Sequence, residues 1–192
     1  GQPSSGGGGS PRRRSSRDPT WRPIPPTLVK RTNHAMASVP GGKVYASGGD
    51  NYGPGPIATA SVSGYDPATN AWAAAPSLGT ARGDLAAAVL NGTLYALGGY
   101  NPNAGAVTLV ETFTPTAAGG GTWATGTPMN TARGWIGAAV VAGKIVAVGG
   151  YNGSGAMSSV EIFDAATKKW TDAASLATPR ASYCVAALDT IW

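Results

Sequence analysis

The chain has 192 residues, room for one domain or a part of a larger one, which excludes a large multidomain enzyme. With 29 glycines, 15 prolines and 12% charged residues, its composition fits many short strands and frequent turns and fits long helices badly. The net charge of +5 is mostly a property of residues 1–20, where Arg12, Arg13, Arg14 and Arg17 face only Asp18, and no apolar run approaches the ~18 residues of a membrane helix.

A single cysteine, Cys184, and a single histidine, His34, allow neither an internal disulfide nor a His/Cys zinc cluster, so no metal or other cofactor is expected. No charged start followed by an apolar stretch marks a signal peptide, and a cytoplasmic location is expected. Residues 1–20, GQPSSGGGGSPRRRSSRDPT, offer almost nothing to bury and are expected to form a flexible basic tail ahead of a folded region at 21–192. The arginine run would attract phosphate in a salt-sensitive way, but no nucleic acid or membrane is required.

Beyond the tail the chain repeats with a period near 50 residues. Gly48-Gly49, Gly98-Gly99 and Gly149-Gly150 close the apolar segments KVYASGG, TLYALGG and KIVAVGG. Another apolar run and a tight turn precede each, Asn91-Gly92 being the strongest hairpin signal. A polar loop and a further strand follow, bearing Tyr65, Phe113 and Phe163, with Trp72, Trp123 and Trp170 after 7, 10 and 7 residues. Ten residues beyond these tryptophans stand Arg82, Arg133 and Arg180, and the same offset joins Trp21 to Arg31. Each unit thus reads as four short strands, a to d, in an all-β chain.

The double glycine, the aromatic-Asp pair and the tryptophan about six residues later resemble the kelch repeat over residues 20–192. Thr114 and Ala165 depart from that pattern. The resemblance implies a β-propeller whose blades are four-stranded sheets around a channel. Three complete blades with partial ones at both ends make a partial kelch-type propeller, expected to be a fragment of a longer protein. The tryptophans are expected to wedge between blades.

Two surfaces are candidates for binding. In the connections from strand d to the next strand a, Arg31, Arg82, Arg133 and Arg180 form a ring near one rim of the channel. Their guanidinium forks suit carboxylates, either those of an acidic peptide, as the kelch resemblance allows, or carbonyls and acidic groups between the blades. Trp135, two residues after Arg133, stands where other copies have Asp84 and Ser182. The loops after the glycine pairs, starting Asp50-Asn51-Tyr52, Tyr100-Asn101 and Tyr151-Asn152, offer the other surface or simple turn chemistry.

The function expected is a non-catalytic protein-interaction module, a substrate-recognition part of a larger adaptor, its partner an acidic peptide held by Arg82, Arg133 and Trp135. The alternative is a piece of a kelch-fold oxidase or sugar-processing enzyme with its catalytic residues outside this chain. A third reading is a structural scaffold anchored by the tail. Asn91-Gly92-Thr93 and Asn152-Gly153-Ser154 match the N-glycosylation acceptor pattern but coincide with turns.

Overall fold

In a computed structural model, residues 23–52, 56–116, 120–182 and 185 are described. The expected tail, Trp21 and Cys184 lie outside them. The described residues form strands, turns and irregular connections, and no helix.

The first blade holds β1 (Ala35–Ser38), β2 (Val44–Ser47), the ribbon β3 (Asp50–Tyr52) and β4 (Pro56–Ala58), then β5 (Val62–Asp66) and β6 (Ala71–Ala75). The second repeats this with β7 (Ala86–Leu90), β8 (Thr93–Leu97), the ribbon β9 (Tyr100–Asn101) and β10 (Gly105–Ala106), β11 (Val110–Pro115) and β12 (Gly121–Thr125). The third holds β13 (Gly137–Val141), β14 (Lys144–Val148), β15 (Val160–Asp164) and β16 (Lys169–Ala173). In each blade the four main strands lie in chain order and pair antiparallel. Three such blades side by side are the partial propeller that the repeat predicts.

The core lies in the seams between blades. Ala87 and Val89 of β7 pack toward the first blade, in a cluster with Tyr45, Val62, Leu85, Leu94 and Phe113. Their neighbours Ala86, Ala88 and Leu90 pack toward the third, with Met129, Ile136, Ile145 and Phe163. Side chains alternate across a strand, so β7 feeds both seams, which is why it is apolar at every position. Aromatic pairs recur across the seams, Tyr45 with Phe113 at 5.1 Å and Tyr95 with Phe163 at 5.7 Å.

The repeated tryptophans tie neighbouring segments together. Tyr65, Phe113 and Phe163 stand directly opposite Trp72, Trp123 and Trp170, with ring centroids 5.0–5.3 Å apart. The Trp123 indole N–H donates to Pro76 O at 2.7 Å and that of Trp170 to Thr127 O at 3.0 Å, each in the segment leaving the preceding blade. Trp72 donates likewise to Pro25 O at 2.8 Å.

The aromatic-Asp pair has a local task. Asp164 accepts the N–H groups of Ala166 and Thr167 and meets Lys144 Nζ at 2.9 Å, and Asp66 meets Lys43 at 3.6 Å. In the second blade Thr114 replaces the aspartate and Thr93 the lysine, so both partners of that contact change together.

Candidate functional site

The glycine pairs build the channel rim. Gly49 N–H donates to Arg82 O of the next blade at 3.0 Å, Gly99 to Arg133 O at 2.9 Å and Gly150 to Arg180 O at 2.8 Å. A Cβ on Gly48, at φ +64, would lie 2.6 Å from Arg82 O, so the seam requires glycine there.

The residue after each pair is bonded both ways to the residue after an arginine: Asp50 with Thr32, Tyr100 with Gly83, and Tyr151 with Gly134. The two candidate surfaces are therefore one rim.

A row of left-handed residues runs along it, each two places after an arginine: Asn33 (φ 54°), Asp84 (φ 56°), Trp135 (φ 47°) and Ser182 (φ 58°). Backbone bonds link it from blade to blade, Asp84 N–H to Asn33 O at 2.8 Å and Ser182 N–H to Trp135 O at 3.1 Å. Asn and Asp tolerate this conformation through short polar side chains, whereas a tryptophan there is strained.

Trp135 stands between Tyr100 and Tyr151, 5.5 Å from each, at interplanar angles of 45° and 87°. These three rings, with Gly153, Ala181 and Ser182, line an open cavity of about 460 Å³. Asn101 spans a turn, donating to Ala81 O at 2.8 Å and accepting from the Asn103 and Ala104 amides. Exposed Asn152 accepts from Ser154 and Gly155 in the equivalent turn.

Toward the first blade the rim changes chemistry. Asp50 takes the place that Tyr100 and Tyr151 hold in the other blades, and its Oδ2 accepts Asn33 Nδ2–H at 2.9 Å. A Cβ on Gly83 would lie 2.6 Å from both Asp50 carboxylate oxygens, so that carboxylate rests on the residue before Asp84. Burial, and then the Asp50 charge, push the Asp84 carboxyl up to about 6.

The arginines lie elsewhere. Arg82 and Arg133 have no solvent-exposed surface. Arg82 donates to Gly98 O (2.8 Å), Thr80 O (3.0 Å), Ala96 O (3.2 Å) and the Glu111 carboxylate. Arg133 donates to Gly149 O (2.8 Å), Ser159 O (3.1 Å), Ser159 Oγ (3.1 Å) and Glu161 Oε1 (2.6 Å). The expectation that these two offer an acidic peptide an open fork is corrected: the carboxylate each one holds belongs to its own blade. Arg31 is half-buried and reaches Gly48 O at 2.8 Å, Ser61 O at 2.7 Å and Ser63 Oγ at 3.2 Å, with Ser63 where the later blades carry glutamate. Arg180 is exposed.

Glu111, Glu161, Asn33 and Asp84 were not among the expected site residues, whereas Asp50 opens one of the loops expected to form a surface. The Val-Glu pairs at 110–111 and 160–161 are the signal that points to the arginines' partners.

The Kelch motif family matches residues 136–177, the third blade. "Influenza virus NS1A-binding protein homolog" of Xenopus laevis is 43% identical over 61 residues, 32% of this chain and 10% of that protein. "Kelch-like protein 41a" of Danio rerio is 44% identical over 63 residues, 33% of this chain and 10% of its own length. The matched segments thus span about a tenth of these curated relatives. A solved structure described as "Structure of YjhT" superposes with a TM-score of 0.64 at 19% identity, over 79% of this chain and 54% of that one, a likeness of fold. The motif is matched on one blade and its glycine pair and tryptophan recur in register on the other two, so the chain carries kelch repeats.

Proposed function

We propose that the chain is a non-catalytic interaction module that holds a protein partner at the rim bearing Asp50, Asp84, Tyr100, Trp135 and Tyr151. One observation carries this reading. Trp135 keeps a left-handed backbone that costs about 1–2 kcal/mol for a non-glycine residue, and the equivalent positions hold smaller polar residues. Strain of this kind persists at ligand clamps, where a side chain is wanted in one place. Here it sets a large, rigid ring over an open cavity, the surface from which binding hot spots are made. Kinship with proteins named as kelch-like and as NS1A-binding supports an interaction role.

The test is a random-peptide display selection on the immobilised 192-residue chain, repeated with W135S. Serine occupies the same left-handed position at Ser182, so the fold accepts it. Peptides that bind the parent chain and lose at least about tenfold in affinity on W135S are expected. Selected peptides indifferent to W135S would move the site away from this rim.

A further inference from the structure

Building on that reading, we infer that the partner presents a cationic segment, whose lysine or arginine side chain lies between the Asp50 and Asp84 carboxylates and the Tyr100–Trp135 aromatic shelf. The rim residues form an arc in which acidic and aromatic chemistry adjoin. Asp50 contacts Asn33 on one side and acts on Asp84 on the other. Asp84 directly follows Gly83, whose backbone is bonded both ways to Tyr100, and Tyr100 packs on Trp135.

Nothing on the described protein neutralises the two carboxylates. The four ion pairs among the described residues are Lys43–Asp66, Arg82–Glu111, Arg133–Glu161 and Lys144–Asp164, none of which includes Asp50 or Asp84. The nearby Arg31 guanidinium is committed to the carbonyls of Gly48 and Ser61. The like charges of Asp50 and Asp84 oppose each other, and a ligand cation would relieve that repulsion.

A guanidinium matches both halves of the arc. Its fork pairs bidentately with a carboxylate and its face stacks on Trp and Tyr rings, and a lysine ammonium is also attracted to such rings. An acidic peptide would meet the opposite: the buried arginines are closed to it, and the half-buried carboxylates repel it.

The probes are fluorescein-labelled Gly-Ser nonapeptides carrying three Arg, three Lys, three Glu or three Leu residues. They are titrated by fluorescence polarisation against the full chain, W135S and the double variant D50N/D84N. Only binding that W135S weakens counts as rim binding, which sets aside contacts with the arginine-rich tail. Asn33 shows that asparagine fits the left-handed position of Asp84, and D84S is a second choice should D84N fail to fold.

The Arg and Lys peptides are expected to bind and to weaken about tenfold or more in D50N/D84N, with the Glu peptide unbound. Equal or tighter W135S-sensitive binding of the Glu or Leu peptide overturns the inference. So does Arg-peptide binding that is unchanged in D50N/D84N. The display selection separates the two levels: selected peptides that need Trp135 but lack Lys and Arg leave the docking rim standing and remove its cationic partner. If no selected peptide needs Trp135, both proposals fall.

Discussion

Arg133 and Glu161 meet at 2.6 Å with their side chains 0% and 1% exposed, and the same carboxylate accepts the backbone N–H of Asn130 at 2.7 Å and of Thr131 at 3.1 Å. One side chain thus anchors both the guanidinium and the connection that enters the third blade. Removing it leaves a buried charge unpaired and two amides without their acceptor. E161A is expected to lose about 3–5 kcal/mol of stability, measured by urea unfolding of the full chain. E161Q, which keeps an acceptor oxygen, is expected to lose less.

In the first blade Arg31 reaches only neutral acceptors, and its Nε–H has none. Ser63 occupies the glutamate position. S63E would restore the pairing of the other blades, and charge-assisted hydrogen bonds are roughly twice as strong as neutral ones. A gain of about 1 kcal/mol over the parent is expected in the same unfolding measurement.

Asn91-Gly92 and Ala142-Gly143 are equivalent turns with positive φ at both residues, 51° and 77° in the first, 48° and 71° in the second. Asparagine tolerates that geometry and alanine does not. A142N is expected to stabilise the chain by about 0.5–1 kcal/mol, and a thermal melt no higher than the parent's would contradict this.

Glycines with similar dihedrals should respond differently according to what surrounds them. Gly143 has open space at the Cβ position, so G143A is expected to cost only the backbone strain of about 1 kcal/mol. At Gly48 the new methyl would also meet Arg82 O at 2.6 Å and Leu85 at 3.1 Å. G48A is expected to cost about 2–4 kcal/mol, because backbone at a seam cannot yield as a flexible side chain does.

Asp84 carries a pH dependence of defined sign. Its carboxyl is raised from 3.8 to about 6, so between these values the folded chain binds more proton than the unfolded one, and its contribution to stability falls as pH rises. D84N lacks this loss. Its stability relative to the parent is expected to rise between about pH 4 and pH 6 and then level off, by about 1 kcal/mol after allowance for solvent screening. A difference that is flat across this range in urea titrations would refute the assignment.

The sequence carried the blade pattern plainly, because glycine pairs, hairpin turns and tryptophans are local features at fixed spacing. The Phe163–Trp170 register, for instance, is readable from seven residues of chain. The arginine spacing was equally legible, and bonding to carbonyls and acidic groups between the blades was one of its two readings, but the choice between them and the partner's identity were not. Arg82 meets a glutamate 29 residues away, across two strands whose register decides which side chain faces inward. The rim was harder still. Tyr100 and Gly83 belong to segments read as separate surfaces, and only their mutual backbone bonds join them. Nothing in the local sequence marks Trp135 as left-handed; Asn, Asp and Ser at the equivalent positions are the one hint.

In the second blade Trp123 stands ten residues after Phe113 where the other blades have an offset of seven, yet those two rings still face each other in register. That hairpin lies at the end of the sheet remote from the glycine pairs, since β11 starts near Gly98 and runs away from it. Extra length there is absorbed without moving the tryptophan tether or the ring of bonds at the mouth. The two ends of the propeller are therefore free to diversify separately, and the hairpin end where Thr116 N–H meets Gly120 O is where a foreign loop or tag can be grafted while the mouth keeps its shape.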